Sequence, residues 1–425
     1  MSIVVQKYGG SSVADAARIY NVARRIVETY DRGHSVCAVV SARGDTTDEL
    51  IKLAYEITPH PPEREMDMLL STGERISCAL LAMAIDRMGK QAVSFTGSQA
   101  GIVTDTVHTK ARILDVHASR LEEAMAEGKI VLVAGFQGVS TEKDITTLGR
   151  GGSDTTAVAL AHALSADVCE IYTDVDGVYT ANPSLVSKAR KIHAISYDEM
   201  LELAASGAQV LALRSVEYAR KYNIPIHVRS SFSDIEGTWV REDDETMESA
   251  IIRGVTYTTD EAKVTVRAVP DQPGVAAHVF SALADAHVNV DMIIQNIGEQ
   301  GHSDISCTIP TEDLAAANDA LKKVVADLGA KSYSADASIA KVSVVGAGMR
   351  TNPGVAALMF KTLADHGINL EMISTSPIKI ACVIAKDRVD EAVRALHEVF
   401  ELDKELVSED HADRATGQPA AEAGR

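Results

Sequence analysis

The chain has 425 residues, with 41 Lys and Arg against 60 Asp and Glu and a formal net charge of −19. That length exceeds one ordinary hydrophobic core and predicts two or three domains. The acidic balance excludes sequence-independent binding to nucleic acid or to anionic membranes, so an anionic ligand has to be held by local cations. The five cysteines, Cys37, Cys78, Cys169, Cys307 and Cys382, form neither a Cys-x-x-Cys pair nor a zinc pattern. They read as reduced thiols of a cytoplasmic protein. The first residues carry no secretory pattern, and no apolar run reaches the length of a membrane span.

Residues 3–8 read as a short apolar strand ending in Lys7-Tyr8, followed by Gly9-Gly10-Ser11-Ser12 and a helix over 13–30. A lysine at the strand end would neutralise a phosphate held on the glycine amides. Neither G-x-x-x-x-G-K-[ST] nor G-x-G-x-x-G is present, which argues against a P-loop and against a dinucleotide fingerprint. Val36–Val40 is the next buried strand, and it runs into Ser41-Ala42-Arg43-Gly44-Asp45-Thr46-Thr47-Asp48. Small hydroxyls and a carboxylate past the carboxyl end of a strand are placed where open α/β sheets bind ligands. A helix over 66–88 carries Ser71-Thr72-Gly73-Glu74-Arg75, in which Glu74 is a candidate partner for a substrate ammonium. Residues 92–95 start a strand, and 111–127 read as a helix.

The stretch Leu148-Gly149-Arg150-Gly151-Gly152-Ser153-Asp154-Thr155-Thr156 lies between an apolar strand at 130–135 and an apolar helix at 157–164. Glycines let the backbone approach a ligand, free amides at a helix start attract anions, and Arg150 offers a bidentate clamp for carboxylate or phosphate. The blander alternative is a glycine turn with Ser153 as a helix N-cap. Residues 168–172 form a strand and Thr173-Asp174-Val175-Asp176-Gly177-Val178-Tyr179 its turn, which lacks the later ligands of a calcium loop. Helices over 196–205 and 211–221 and a strand over 226–229 complete a strand–helix alternation that predicts a mostly parallel sheet covered on both faces. Residues 241–248, with six charges in eight, read as part of a linker.

An internal repeat follows. Lys263-Val264-Thr265-Val266 matches Lys341-Val342-Ser343-Val344, and Pro273/Pro353, Leu283/Leu363 and Asn289/Asn369 share an offset of 80. Two units reading strand, Pro-Gly turn, helix, strand, strand, helix predict two ferredoxin-like modules of regulatory character. The tail from Ser408 has a disordered composition.

Lys7–Ser12, the Ser41–Asp48 run, Ser71–Glu74, Gly149–Ala157 and Thr173–Thr180 together resemble the aspartokinases, over about residues 1–407, and the repeat is similar to ACT domains. The resemblance implies an α/β amino acid kinase catalytic domain over 1–230, a linker over 231–262, ACT modules at 263–332 and 340–407, and a disordered tail over 408–425. It implies phosphoryl transfer from ATP to the side-chain carboxylate of L-aspartate, giving 4-phospho-L-aspartate, the first step toward lysine, threonine and methionine. Magnesium is expected to arrive on the nucleotide, with no metal cage built by the protein.

Carried over motif by motif, the resemblance assigns catalysis to Lys7 and Asp154, and aspartate binding to Asp45, Thr46, Thr47, Glu74, Arg150, Gly151, Gly152 and Ser153. ATP would meet Lys7, Tyr8, Gly9, Gly10, Ser41, Thr173, Asp174, Tyr179, Asn182 and Ser184. Lysine and threonine are implied as effectors, at Asp271, Gly274, Ala276, Asn289, Asp291 and Gln295 in one module and Val355, Asn369, Leu370 and Ser376 in the other. A homo-oligomer through the ACT modules is expected, and Met247 is a candidate start of a separate ACT-only subunit. The chain departs from the family at Arg43, at Asn182-Pro183-Ser184 where Asp-Pro-Arg is usual, at Gln209, and at Pro377. Those departures keep two alternatives open: an amino-acid-sensing homologue with a weakened ATP site, and a kinase for another carboxylate.

Overall fold

In the computed structural model the described residues are 2–242, 251–297, 301–350 and 352–404; Met247 and the tail from 408 lie outside them. The chain divides into two compact units. The first holds residues up to Asn182, the stretch 191–243, and 256–258; the remainder belongs to the second.

The first unit begins with β1 (Ile3–Tyr8), α1 (Ala16–Asp31), β2 (Ser35–Val40), α2 (Thr46–Ile57), α3 (Glu63–Arg87), β3 (Ala92–Phe95), β4 (Ile102–Thr104) and β5 (Ile113–Val116). It continues with α4 (Ser119–Ala126), β6 (Ile130–Ala134), β7 (Gln137–Ser140), β8 (Ile145–Thr147), α5 (Gly152–Ala163), β9 (Val168–Thr173) and β10 (Ala194–Ser196). The last elements of this half are α6 (Tyr197–Ala205), α7 (Leu213–Tyr222), β11 (Ile226–Ser230) and β12 (Thr238–Arg241). One eight-stranded sheet runs β10-β12-β11-β9-β1-β2-β6-β3. Its central pairs are parallel, and β11 meets β12 antiparallel. β6 and, after Ser35, β2 are apolar because both faces are covered, as a parallel sheet between helices requires. α1 starts on Asp15, which accepts from Arg18 N at 2.9 Å, and turns Ile19, Val22, Ala23 and Ile26 inward against Val36, Ala38 and Leu132.

Several expectations are corrected. Residues 111–127 are not one helix: Ile113–Val116 pairs with β4, and the helix starts only at Ser119. β5-β4-β7-β8 form a second, small sheet. Gly151, with φ 72°, is the N-cap of α5, so Ser153 lies inside the first helical turn rather than capping it. The Ser41–Asp48 run turns into α2 at Thr46. The stretch 231–262 is not free linker, because β12 joins the large sheet and further strands follow. α3 is long and apolar enough by composition to cross a membrane, yet it buries Asp67, Ser71, Glu74 and Ser77 in the first unit.

The chain goes on through β13 (Gly254–Thr258), β14 (Glu261–Pro270), α8 (Val275–Asp285), β15 (Ile293–Ile297), β16 (His302–Pro310), α9 (Leu314–Leu328) and β17 (Ser332–Asp336). β18 (Ile339–Val345), α10 (Val355–Asp365), β19 (Met372–Ser376), β20 (Lys379–Ala385) and α11 (Val389–Val399) close it. The first module's sheet is β15-β16-β14-β17 and the second's is β13-β18-β20-β19. The strand beside β18 thus comes from chain that precedes the first module, and Arg253 N donates to Val345 O at 2.8 Å. Each module packs its helices on its own sheet, with Val264, Val279, Leu283, Ile305 and Leu321 at the centre of the first.

Candidate active site

The carboxyl ends of β1, β2, β6 and β9 meet at one edge of the large sheet, where an open α/β fold leaves a crevice. Ser41 N donates to Tyr8 O at 3.1 Å, Gly135 N to Val40 O at 3.1 Å, and Gly9 N to Tyr172 O at 3.4 Å, which ties the four strand exits together. Lys7 leaves β1 on the α5 side, and its Nζ lies 2.7 Å from Asp154 Oδ1 in the first turn of that helix, both side chains largely buried. A Cβ on Gly9 would lie 3.6 Å from Lys7 Nζ, so the glycine loop and the ammonium are neighbours. A Cβ on Gly10 would come within 2.7 Å of Ala42 O, which leaves no room for another residue at that position.

Glu74 reaches the same place from α3. It is 3% exposed, its Oε1 accepts from Ala42 N at 3.2 Å, and its Oε2 is buried without a donor among the described residues. Burial pushes the carboxyl up to about 7, against backbone hydrogen bonds and Arg75 that pull it down. A Cβ on Gly73 would stand 2.8 Å from Ala42 Cβ and 3.6 Å from Thr46 Cγ2, so α3 lies directly on the Ser41–Thr47 loop. Ser153 comes in from the α5 side: a Cβ on Gly135 would meet its Oγ at 2.7 Å. Arg150 is exposed beside Gly151, whose left-handed backbone packs on Ala212.

These contacts bring together Lys7, Gly9, Gly10, Ser41, the Thr46–Thr47 start of α2, Glu74, Ser153 and Asp154. Asp45 is exposed at the N-terminal end of α2, and Gly152 is buried against Leu148 and Phe136. The Tyr8 ring is fully buried and stacks on Tyr172 at 4.7 Å under the glycine loop, which leaves the backbone of Tyr8 as the part that a nucleotide would meet. Thr173 and Asp174 continue from the end of β9, next to β1, with Thr173 Oγ1 donating to Asp174 Oδ1 at 3.1 Å. Tyr179 lies further along that turn, bridged to Lys191, and Asn182 donates to Tyr257 Oη at 3.5 Å. Ser184 belongs to the 183–190 segment, which is part of the second unit.

Two residues here escaped the sequence reading. Asp67 is fully buried on α3 and Arg214 of α7 binds two backbone carbonyls near the Arg150 loop. No local signal set Asp67 apart, because it follows Glu63 and Glu65 near the start of α3; its full burial is what requires several donors.

In the second unit, Gly274 (φ 97°) and Gly354 (φ 107°) cap α8 and α10 at equivalent points of the repeat, with Ala276 and Val355 in the first turns. Asp271 Oδ1 accepts from Ser303 Oγ at 3.4 Å. Asn289, Gln295 and Asn369 are exposed, and Leu370 and Ser376 half-buried. Asp291 is ion-paired with Lys341 of the second module.

The amino acid kinase family model matches residues 2–230, and the ACT domain model matches 264–325 and 342–400. The aspartokinase of Mycolicibacterium smegmatis is 58% identical over 407 residues, which cover 95% of this chain and 97% of that protein. The aspartokinase of Corynebacterium glutamicum is 55% identical over the same shares. Among solved structures, Escherichia coli aspartokinase III in complex with aspartate and ADP superposes with a TM-score of 0.80 at 25% identity, covering 93% of this chain and 99% of that one. Its lysine and aspartate complex gives a TM-score of 0.69 over the same shares. With the family's motifs gathered at one sheet edge and relatives of this identity matching nearly end to end, the chain belongs to the aspartokinases, amino acid kinases that carry two ACT modules after the catalytic domain.

Proposed function

We propose how this chain carries out phosphoryl transfer from MgATP to the side-chain carboxylate of L-aspartate. The carrying observation is the pairing of Lys7 with Asp154 beside the Gly9-Gly10 amides, with the donorless Glu74 oxygen across the Ala42 turn. No covalent intermediate is required, so the protein's work is positioning and charge neutralisation. Lys7 would bind the transferring phosphoryl oxygens, and Asp154 would hold its ammonium in place. Glu74 would take the substrate ammonium, Arg150 a carboxylate, and Ser153 and Thr47 hydrogen bonds to it. Asp45, Thr46, Gly151 and Gly152 would shape that pocket, and Ser41, Thr173, Asp174, Tyr179 and Asn182 the nucleotide end. Magnesium fits as a passenger of the nucleotide, because one carboxylate at the phosphate end, Asp154, together with phosphate oxygens is the usual way the ion is held. When bound it would neutralise phosphate charge.

Lysine and threonine would act at the Gly274 and Gly354 modules. A lysine complex of the E. coli relative supports the first effector, and the repeat supports two sites. An oligomer through the ACT modules and an ACT-only subunit from Met247 belong to the same reading; a single band on an anti-C-terminal blot would remove the subunit. Cytoplasmic location is supported by five free, buried cysteines.

The test is ADP release with MgATP, with and without L-aspartate, with hydroxylamine trapping the acyl phosphate. Aspartate-dependent hydroxamate at more than about one turnover per second supports the reading. Aspartate binding without hydroxamate would shift it to an amino-acid sensor.

A further inference from the structure

In the proposed pocket Glu74 and Arg150 hold opposite ends of aspartate, yet they stand on different elements, α3 and the loop between β8 and α5. Asp67 lies on α3 seven residues before Glu74 and is 0% exposed. Its carboxylate leaves its own helix to accept from Thr147 Oγ1 at 2.5 Å and from Thr109 N at 3.1 and 3.2 Å, and it lies 2.6 Å from His108 Nδ1. Thr147 ends β8, three residues before Arg150. Thr109 O lies 3.1 Å from where a Gly149 Cβ would stand, so the 108–109 turn backs the glycine loop.

Arg214 grips the same loop from α7. Its Nη1 donates to Leu148 O at 2.7 Å and its Nη2 to Ala111 O at 3.0 Å, while Ala111 N donates to Thr147 O at 2.9 Å. Thr147, Leu148 and Gly149 are therefore held between one buried carboxylate and one guanidinium. Burying a carboxylate is costly unless donors surround it, and here each identified donor belongs to the strand or turn that supports Arg150.

We infer that Asp67 and Arg214 are positioning residues for aspartate recognition: they fix the distance between the ammonium-binding helix and the carboxylate-binding loop. This inference rests on the aspartate reading above. Among the described residues the hydrogen bonds of Asp67 and Arg214 go to neither Lys7 nor Asp154, so the nucleotide end is expected to be spared.

The experiment measures kcat and both KM values for the full-length chain, wild type beside Asp67→Asn, Arg214→Met and Arg214→Lys. A displaced clamp raises the KM for L-aspartate about tenfold or more while the KM for MgATP stays within about twofold. Arg214→Lys, able to reach one carbonyl, recovers part of the loss. Folded variants with an unchanged aspartate KM, or with both KM values rising by the same factor, overturn the inference. If Asp67→Asn fails to fold by circular dichroism, Thr147→Val removes a single donor and decides by the same criterion. Wild type without aspartate-dependent turnover would instead overturn the substrate reading, and this inference with it.

Discussion

Glu74 is buried beside a backbone amide, and that burial places its carboxyl near neutrality, at about 7 against an ordinary 4.5. Below about 4.5 the group is protonated whether the chain is folded or not. Between 4.5 and 7 the unfolded chain releases a proton that the folded chain keeps, so stability falls as pH rises through that window and levels off above it. Glu74→Gln is therefore expected to match wild type below about pH 4 and to exceed it by roughly 3 kcal/mol at pH 8 in denaturant unfolding. A bound ammonium favours the ionised form, so aspartate affinity is expected to rise about tenfold per pH unit toward 7 and then flatten. Calorimetry across pH and buffer checks this, and Glu74→Gln is expected to bind weakly with no such slope. Lys7 argues differently, because its charge is matched by Asp154 in the ground state and is needed where phosphoryl charge develops. Lys7→Met is expected to lower kcat by about 10²–10³, the usual loss for one preorganised donor, with aspartate binding retained. Equal loss of aspartate binding would count against the assigned role.

The elements set how close these residues stand, and glycines set how close the elements stand. A Cβ at position 10 would collide with a backbone carbonyl of the next strand exit, and that carbonyl cannot swing aside like a flexible side chain. Gly10→Ala is expected to cost about 1–3 kcal/mol and to raise the KM for MgATP more than that for aspartate, by steady-state kinetics and thermal unfolding. This part of the site was legible in the sequence, because strand, glycine loop and helix follow one another with Lys7 and Asp154 at fixed places. The small β5-β4-β7-β8 sheet was not. Its strands have three or four residues, too few to show a period of two, and Ile113–Val116 was absorbed into the helix that follows it. Asp67 and Arg214 were hidden for a related reason: what they bind lies 41 and 66 residues or more away in sequence, and no local pattern announces such pairing.

At the scale of the regulatory unit, the repeat foretold two modules but not how they exchange parts. Equivalent lysines, Lys263 on β14 and Lys341 on β18, each reach across to the acid just ahead of the other module's edge strand, β19 or β15. Lys263 pairs with Glu371 and Lys341 with Asp291, reciprocally. The pairs match in sequence but not in surroundings. Lys341 is 1% exposed and also binds Glu261, whereas Lys263 and Glu371 keep about a quarter of their side-chain surface. Removing the buried cation leaves Glu261 uncompensated while the more open Asp291 rehydrates, so the loss falls below the roughly 3–5 kcal/mol of a fully buried pair but above the about 1 kcal/mol or less of a half-open one. Lys341→Met is accordingly expected to lower the melting temperature by several degrees more than Lys263→Met in scanning calorimetry of the full chain. Asp291 is also one of the effector residues that the family resemblance implies, so on that reading its release from Lys341 is expected to change effector affinity at the first module, while Lys263→Met acts on the second through Glu371. Equal melting shifts for the two variants, or effector titrations that leave both sites unchanged, would mean that the reciprocal pairs are packing alone and carry no signal between the modules.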